Sequence, residues 1–244
     1  MPNLLSLISE SWEFLRRQQA ITHVGFWFLF LPTLVAGLLA DAEMREAAIL
    51  ETMPELKALL GLAYLSLSLV VIWGTVCILN IGKRLLQAKA GRTRTSFKAV
   101  RVQSAKVYIP FLLTSILRVI FTLLWAVLLI VPGIVYFIRT VFAPVIVVCE
   151  GLAYRPALNR SKEVTEGKFW DVFLTIIGLS LLTLIPAQIF AGICTAIAKN
   201  APPAIILAAD TASGIILTLA LIVYLLSLIL AYGYFRPRTE PASN

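Results

Sequence analysis

Few side chains in these 244 residues are equipped for chemistry, and that scarcity is the first constraint on function. His23 is the single histidine, so neither a two-histidine metal site nor a relay between histidines can be built. The three cysteines, Cys77, Cys149 and Cys194, fall within apolar runs at spacings that match no metal motif, and buried free thiols are expected. No phosphate loop, nucleophile elbow or HExxH sequence occurs. Catalysis by this chain alone is therefore not expected, and neither a metal nor another cofactor is implied. Four charges stand out by position: Arg118 and Arg139 lie inside apolar runs, with Glu150 and Asp210 near the edges of such runs. A charge inside hydrocarbon costs several kcal/mol unless it is paired, hydrated or able to reach the headgroups.

The elements that must position these charges follow from composition. Hydrophobic residues make up 59% of the chain and charged residues 14%, against about 45–50% and about 25% in soluble domains, which excludes a soluble globule. A helix needs about 20 apolar residues to cross a hydrocarbon core about 30 Å thick. Six segments meet or approach this, at about 21–40, 58–82, 109–131, 134–153, 169–195 and 205–235. None shows the alternation of a membrane barrel, so the fold class is all-α: one polytopic domain of six transmembrane helices over 21–235, followed by a tail at 236–244.

Lys and Arg set the orientation, since cytoplasmic loops carry them in excess. Sixteen lie on one set of flanks and only three, Arg45, Lys57 and Lys199, on the other, placing both termini in the cytoplasm. The loop between the first two spans is acidic, with Asp41, Glu43, Glu46, Glu51 and Glu55. The net charge of +8 does not point to nucleic acid, because the bases flank apolar spans where anionic headgroups attract them by about 1 kcal/mol each. The loop from Lys83 to Lys106 holds eight bases and no acid, as a solvated positive-inside loop or a segment on the inner leaflet would.

Pro132 and Gly133 interrupt the apolar run and predict a tight hairpin turn between the third and fourth spans. Counted from that turn, Arg118 and Glu150 differ in depth by only about 4–5 Å, and Arg118 leans towards the cytoplasmic side, so the two are expected to pair. Arg139 leans the other way, towards Asp210, the second expected pair. Both pairs would simply hold helices together; the alternative is that an arginine contacts a lipid phosphate or another anion. Gly178, Ala187, Ala191 and Gly192 offer close helix approach, and Pro186 is a candidate kink in the fifth span.

Residues 1–20 read as an interfacial amphipathic helix, with Leu4, Leu7, Ile8, Trp12 and Leu15 on one face. Residues 150–170 read as a cytoplasmic elbow helix with Pro156 in its first turn, Gly167 at its stop and an apolar face of Ala157, Ser161 and Val164. Phe169 and Trp170 would anchor the fifth span at the interface. The elbow is either structural or a contact for a partner.

The segments "LLIVPGIVYFIRTVFAPVIVVCEG" and "ALNRSKEVTEGKFW" resemble the six-helix membrane domain found ahead of some bacterial glycerophosphodiester phosphodiesterases, and related stand-alone inner-membrane proteins. The likeness is carried by Pro132, Gly133, Arg139, Glu150, Gly151, Arg160, Ser161, Gly167 and Trp170, over roughly residues 110–175. It implies a multi-pass module; no residue matches a hydrolase catalytic position. The expected role is a non-catalytic scaffold or accessory subunit in a lipid or envelope process. Its expected partners are anionic headgroups at the cytoplasmic face and a membrane protein or a second copy. The alternative is a transporter or carrier of a lipid or small anionic solute that uses Arg118 or Arg139.

In single-cysteine versions, an impermeant maleimide applied outside intact cells should label Glu46→Cys and spare Arg92→Cys. The reverse pattern overturns the orientation.

Overall fold

The computed structural model describes residues 2–45, 53–86, 97–198 and 201–236, and every regular element among them is helical. Helix α1 (Leu4–Arg17) opens at Asn3, whose side chain accepts from the Leu5 amide at 3.1 Å and satisfies a donor that every helix start leaves open. Helices α2 (Gln19–Gly25) and α3 (Leu31–Arg45) are joined by a π-helical turn over Phe26–Phe30. Then come α4 (Pro54–Gly82), continued by a 3-10 turn over Lys83–Leu86, and α5 (Phe97–Leu128). The shorter α6 (Ile130–Arg139), α7 (Ala143–Glu150) and α8 (Tyr154–Thr165) lead into the long α9 (Phe169–Ala198) and α10 (Pro203–Phe235). Proline stands in the first turn of α4, α7 and α10, where its missing N–H costs nothing.

Six stretches are long and apolar enough to cross a bilayer: Gln19–Ala40, Pro54–Leu86, Phe97–Leu128, Ile130–Glu150, Phe169–Ala198 and Ala204–Phe235. The third begins at Phe97, not near the expected 109, and so takes in part of the basic loop: Lys98, Arg101 and Lys106 are exposed while Val100, Ser104 and Phe111 are buried, so charge on one face does not stop the helix. Glu46 and Glu51 of the acidic loop, residues 87–96 of the basic loop, Lys199 and the tail from 237 to 244 lie outside the described residues.

The turn between the third and fourth stretches corrects the expectation. It falls on Leu129, which is extended (φ −158°, ψ 132°), while Pro132 and Gly133 belong to the first turn of α6. Proline is tolerated there because that amide has no helical partner anyway. Gly133 serves close approach instead: a Cβ at that position would stand 2.7 Å from the Ala126 Cα on α5. The fourth stretch is also not one helix. It divides at Thr140–Phe142, because Pro144 offers no N–H to the Thr140 carbonyl and its ring crowds that carbonyl. Helix α9, in contrast, continues through Pro186 as a single element.

Burial concentrates towards the end of the bundle that carries Lys83, Lys168 and Arg236. Val76 and Ile81 of α4, Val145 and Val148 of α7, and Ile222, Leu226 and Ile229 of α10 share one core with Ile21 and Val24 of α2. Helix α1 lies on α9 and α10, with the Ser11 and Ser227 hydroxyls 3.0 Å apart and Leu4 against Gly178. Its buried face is Leu7, Ser11, Phe14 and Leu15; Trp12, expected there, is 40% exposed, because the helix is rotated to bring Ser11 to Ser227. Elsewhere the long helices present Leu59, Leu62, Ile193 and Ile197 outward, an apolar surface that suits contact with hydrocarbon rather than water.

Gly133→Ala should destabilise the detergent-solubilised protein by about 1–3 kcal/mol, the usual cost of overpacking, despite the better helix propensity of alanine. Gly192→Ala, which meets nothing within 4 Å, should be neutral or slightly stabilising. Denaturation of the two variants side by side checks this.

Candidate functional site

The division at Thr140–Phe142 creates the site. A helix end leaves its last carbonyls without intrahelical donors, and in lipid no water replaces them. Here each finds a partner. The Tyr136 carbonyl accepts from the Thr140 amide at 3.0 Å and the Ile138 carbonyl from the Val141 amide at 3.2 Å. The Phe137 carbonyl accepts from Arg118 Nη2 at 3.3 Å. The Arg139 carbonyl accepts from Ser161 Oγ at 2.8 Å, and the same hydroxyl accepts from the Phe142 amide at 3.2 Å. Ser161 is fully buried and stitches α8 to both sides of the break. Thr114 on α5 holds the start of α8 by accepting from the Tyr154 amide at 2.7 Å, where Tyr154 has a left-handed φ of 60°.

Glu150 ends α7, and Gly151 follows with φ 75°, a backbone state that favours glycine. A carboxylate at a helix C-terminus faces the negative end of the helix dipole and needs cations. Arg160 Nε lies 3.3 Å from Oε2 and Arg236 Nε 3.3 Å from Oε1, while the Tyr232 hydroxyl donates to Oε1. Arg160 also donates to Glu163 from Nη1 at 3.0 Å. That bond, opposed by burial and reinforced by the charge of Glu150, raises the Arg160 pKa above its ordinary value and keeps the guanidinium cationic. Lys83 Nζ donates to the Val148 carbonyl at 3.1 Å and Lys168 Nζ to the Phe235 carbonyl at 3.4 Å, so cations cover the ends of both α7 and α10. The ring of Tyr232 rests 5.7 Å from that of Phe142, joining this ionic clasp to the break.

The expected pairs are not made. Arg118 does not reach Glu150: its Nε donates to Thr140 Oγ1 at 3.3 Å and its Cζ stacks 4.6 Å from the Phe137 ring. The depth count assumed one continuous helix from Pro132 to Glu150, whereas the break brings Thr140 to Arg118 and leaves Glu150 to α8 and α10. Arg139 does not join Asp210 either. It is exposed at the end of α6 and makes no ion pair among the described residues, while Asp210 lines a cavity of about 280 Å³ with Thr33, Thr195 and Ser213, to which Arg139 contributes nothing. Gly167 has φ 71° just beyond α8, and Trp170 is 69% exposed in ring contact with Phe169 and Phe173.

Tyr232, Arg236, Lys83 and Lys168 were not singled out by sequence. Only the i,i+4 spacing of Tyr232 and Arg236 hinted that both would face one partner. Chemically the clasp is a tether: Glu150 accepts hydrogen bonds from Arg160 and Tyr232 and is ion-paired with Arg236 as well. Among the described residues no three His, Cys, Asp or Glu side chains gather to hold a metal. No family model, curated protein or solved structure matches the chain.

Glu150 is only 12% exposed, so Glu150→Gln should cost about 2 kcal/mol by leaving two guanidinium groups short of a counter-ion. Arg17→Gln, which removes an ion pair to Glu13 more than 60% exposed on both sides, should cost no more than about 0.5 kcal/mol. Chemical denaturation of both in one detergent distinguishes them.

Proposed function

We propose that this chain is a bacterial inner-membrane protein with both termini in the cytoplasm, acting as a non-catalytic scaffold or accessory subunit in a lipid or envelope process. One observation carries the reading. Glu150, only 12% exposed, is consumed in tying α7, α8 and α10 together, and the buried hydroxyl groups of Ser161 and Thr140 serve the backbone. Groups committed in this way to the architecture are not free for chemistry, which supports a role exercised through the surface. The resemblance to the membrane domain that precedes some glycerophosphodiester phosphodiesterases supports the same role, since that domain is a module separate from the hydrolase. Interfacial α1, the exposed Trp170 and the bases around the elbow suit contact with anionic headgroups, and the outward apolar faces suit a membrane-protein partner or a second copy.

The carrier reading requires a cleft shared by charges from both halves of the membrane. Arg139 does not line the cavity beside Asp210, which is walled chiefly by Leu29, Leu34, Leu217 and Leu221, and this favours the scaffold.

Reconstituted alone in liposomes, the chain should move no glycerol phosphate or inorganic phosphate above the leak of empty vesicles. Flux that Arg139→Gln or Asp210→Asn abolishes overturns the scaffold reading and installs the carrier in its place.

A further inference from the structure

The cavity beside Asp210 takes no part in the clasp or the stitched break. It lies between α3, α4, α9 and α10, in the half of the bundle away from Lys83, Lys168 and Arg236, and holds about 280 Å³. Its lining runs along α10 from Asp210 to Leu221, a rise of about 16 Å. Over that length the volume corresponds to a mean cross-section of roughly 17 Å², which suits one hydrocarbon chain and not two. Gly25 packs against Ile222 and Gly214 against Phe30, so the facing segments run antiparallel and Leu29 stands towards the Leu221 end. Asp210, Ser213 and Thr195 lie towards the beginning of α10, whereas Leu29, Val71 and Leu221 wall the deeper part, with Thr218 the one hydroxyl placed there. Thr33 and Thr195 donate their hydroxyls to carbonyls of their own helices, the Leu29 and Ala191 carbonyls among them. Ser213 makes no such bond. It is 5% exposed, and its Oγ has no hydrogen-bond partner among the described residues, an expensive condition in an apolar span.

We propose that this cavity binds a neutral single-chain amphiphile, with a hydroxyl head beside Asp210 and Ser213 and its chain running towards Leu29 and Leu221. Gly37 and Leu38 on one wall are exposed while Ser213 is buried, so the cavity opens sideways, where a ligand dissolved in the bilayer enters. The polar groups select the head. A hydroxyl donates to the Asp210 carboxyl and can donate to or accept from Ser213. A phosphate or carboxylate head would instead bring a second negative charge to Asp210 inside an apolar span. This goes beyond the scaffold role and does not rest on it, since such a ligand stays bound whether or not the outer surface recruits a partner.

The test uses the full chain in phosphatidylcholine nanodiscs with a monoacylglycerol that carries a diazirine in its acyl chain, irradiated and mapped by peptide mass spectrometry. Label should concentrate on Leu29, Leu217 and Leu221 over the outward Leu59 and Leu62, and excess unlabelled monoacylglycerol should remove it. A Cβ at Gly37 meets nothing within 4 Å, so Gly37→Phe should fold and, by placing a ring on the cavity wall, abolish most of this labelling. Ser213→Ala should raise the monoacylglycerol concentration needed for half-maximal labelling about fivefold, the loss of one neutral hydrogen bond. It should do so without loss of fold stability, because the hydroxyl it removes satisfies nothing in the protein. Labelling spread evenly over the outward residues, or unchanged in both folded variants, overturns the site. Equal competition by lysophosphatidic acid, which has one chain and an anionic head, overturns the neutral head. Equal labelling of the same leucines by a diazirine phosphatidylcholine overturns the single-chain ligand in favour of ordinary bilayer lipid.

Discussion

A helix that stops within an apolar span must find donors for its last carbonyls without help from water, and this requirement organises the centre of the molecule. Pro144 imposes the stop. Thr140, Val141, Ser161 and Arg118 answer it, drawing on the local chain, the following helix and a helix that precedes it. Ser161 answers for both sides of the break at once, which explains why α8 lies across the junction and why its buried face combines Ala157 and Leu158 with two hydroxyl residues, Ser161 and Thr165. Packing alone would be served as well by a fully apolar face.

The ionic clasp and the stitched break are one unit. Phe142, at the break, touches both Tyr232 and Phe235, and Tyr232 carries the proton that completes the Glu150 coordination. An isolated buried ion pair contributes little net stability, because desolvation offsets attraction. Glu150 differs in having two guanidinium groups and a phenol arranged around one carboxylate, the guanidinium groups still partly open to solvent, so less desolvation opposes the attraction. Its value is geometric: it fixes the exit of α7, the middle of α8 and the last turn of α10 relative to one another.

Much of this was legible in the residues. The six apolar runs correspond to six helical stretches of membrane-spanning length, the fourth of them divided, and the proline and glycine around 156–167 bound α8 at Tyr154–Thr165. The errors share a cause. Arg118 was paired with Glu150 by counting residues along an unbroken helix, although Pro144, four residues past Thr140, carried the signal for the interruption. Trp12 was assigned to the buried face of α1 on polarity, but a serine pair outweighed a large apolar ring there. Partners of Glu150 on α10 were invisible because no local pattern links residues so distant in the chain.

That distance bears on how the molecule comes to be made. Glu150 leaves the ribosome 82 residues ahead of Tyr232, and Arg236 later still. During synthesis the carboxylate therefore waits with Arg160, made ten residues later, and its remaining partners arrive with the final turn of α10. The clasp is in this sense a latch that closes only when α10 docks on helices made before it.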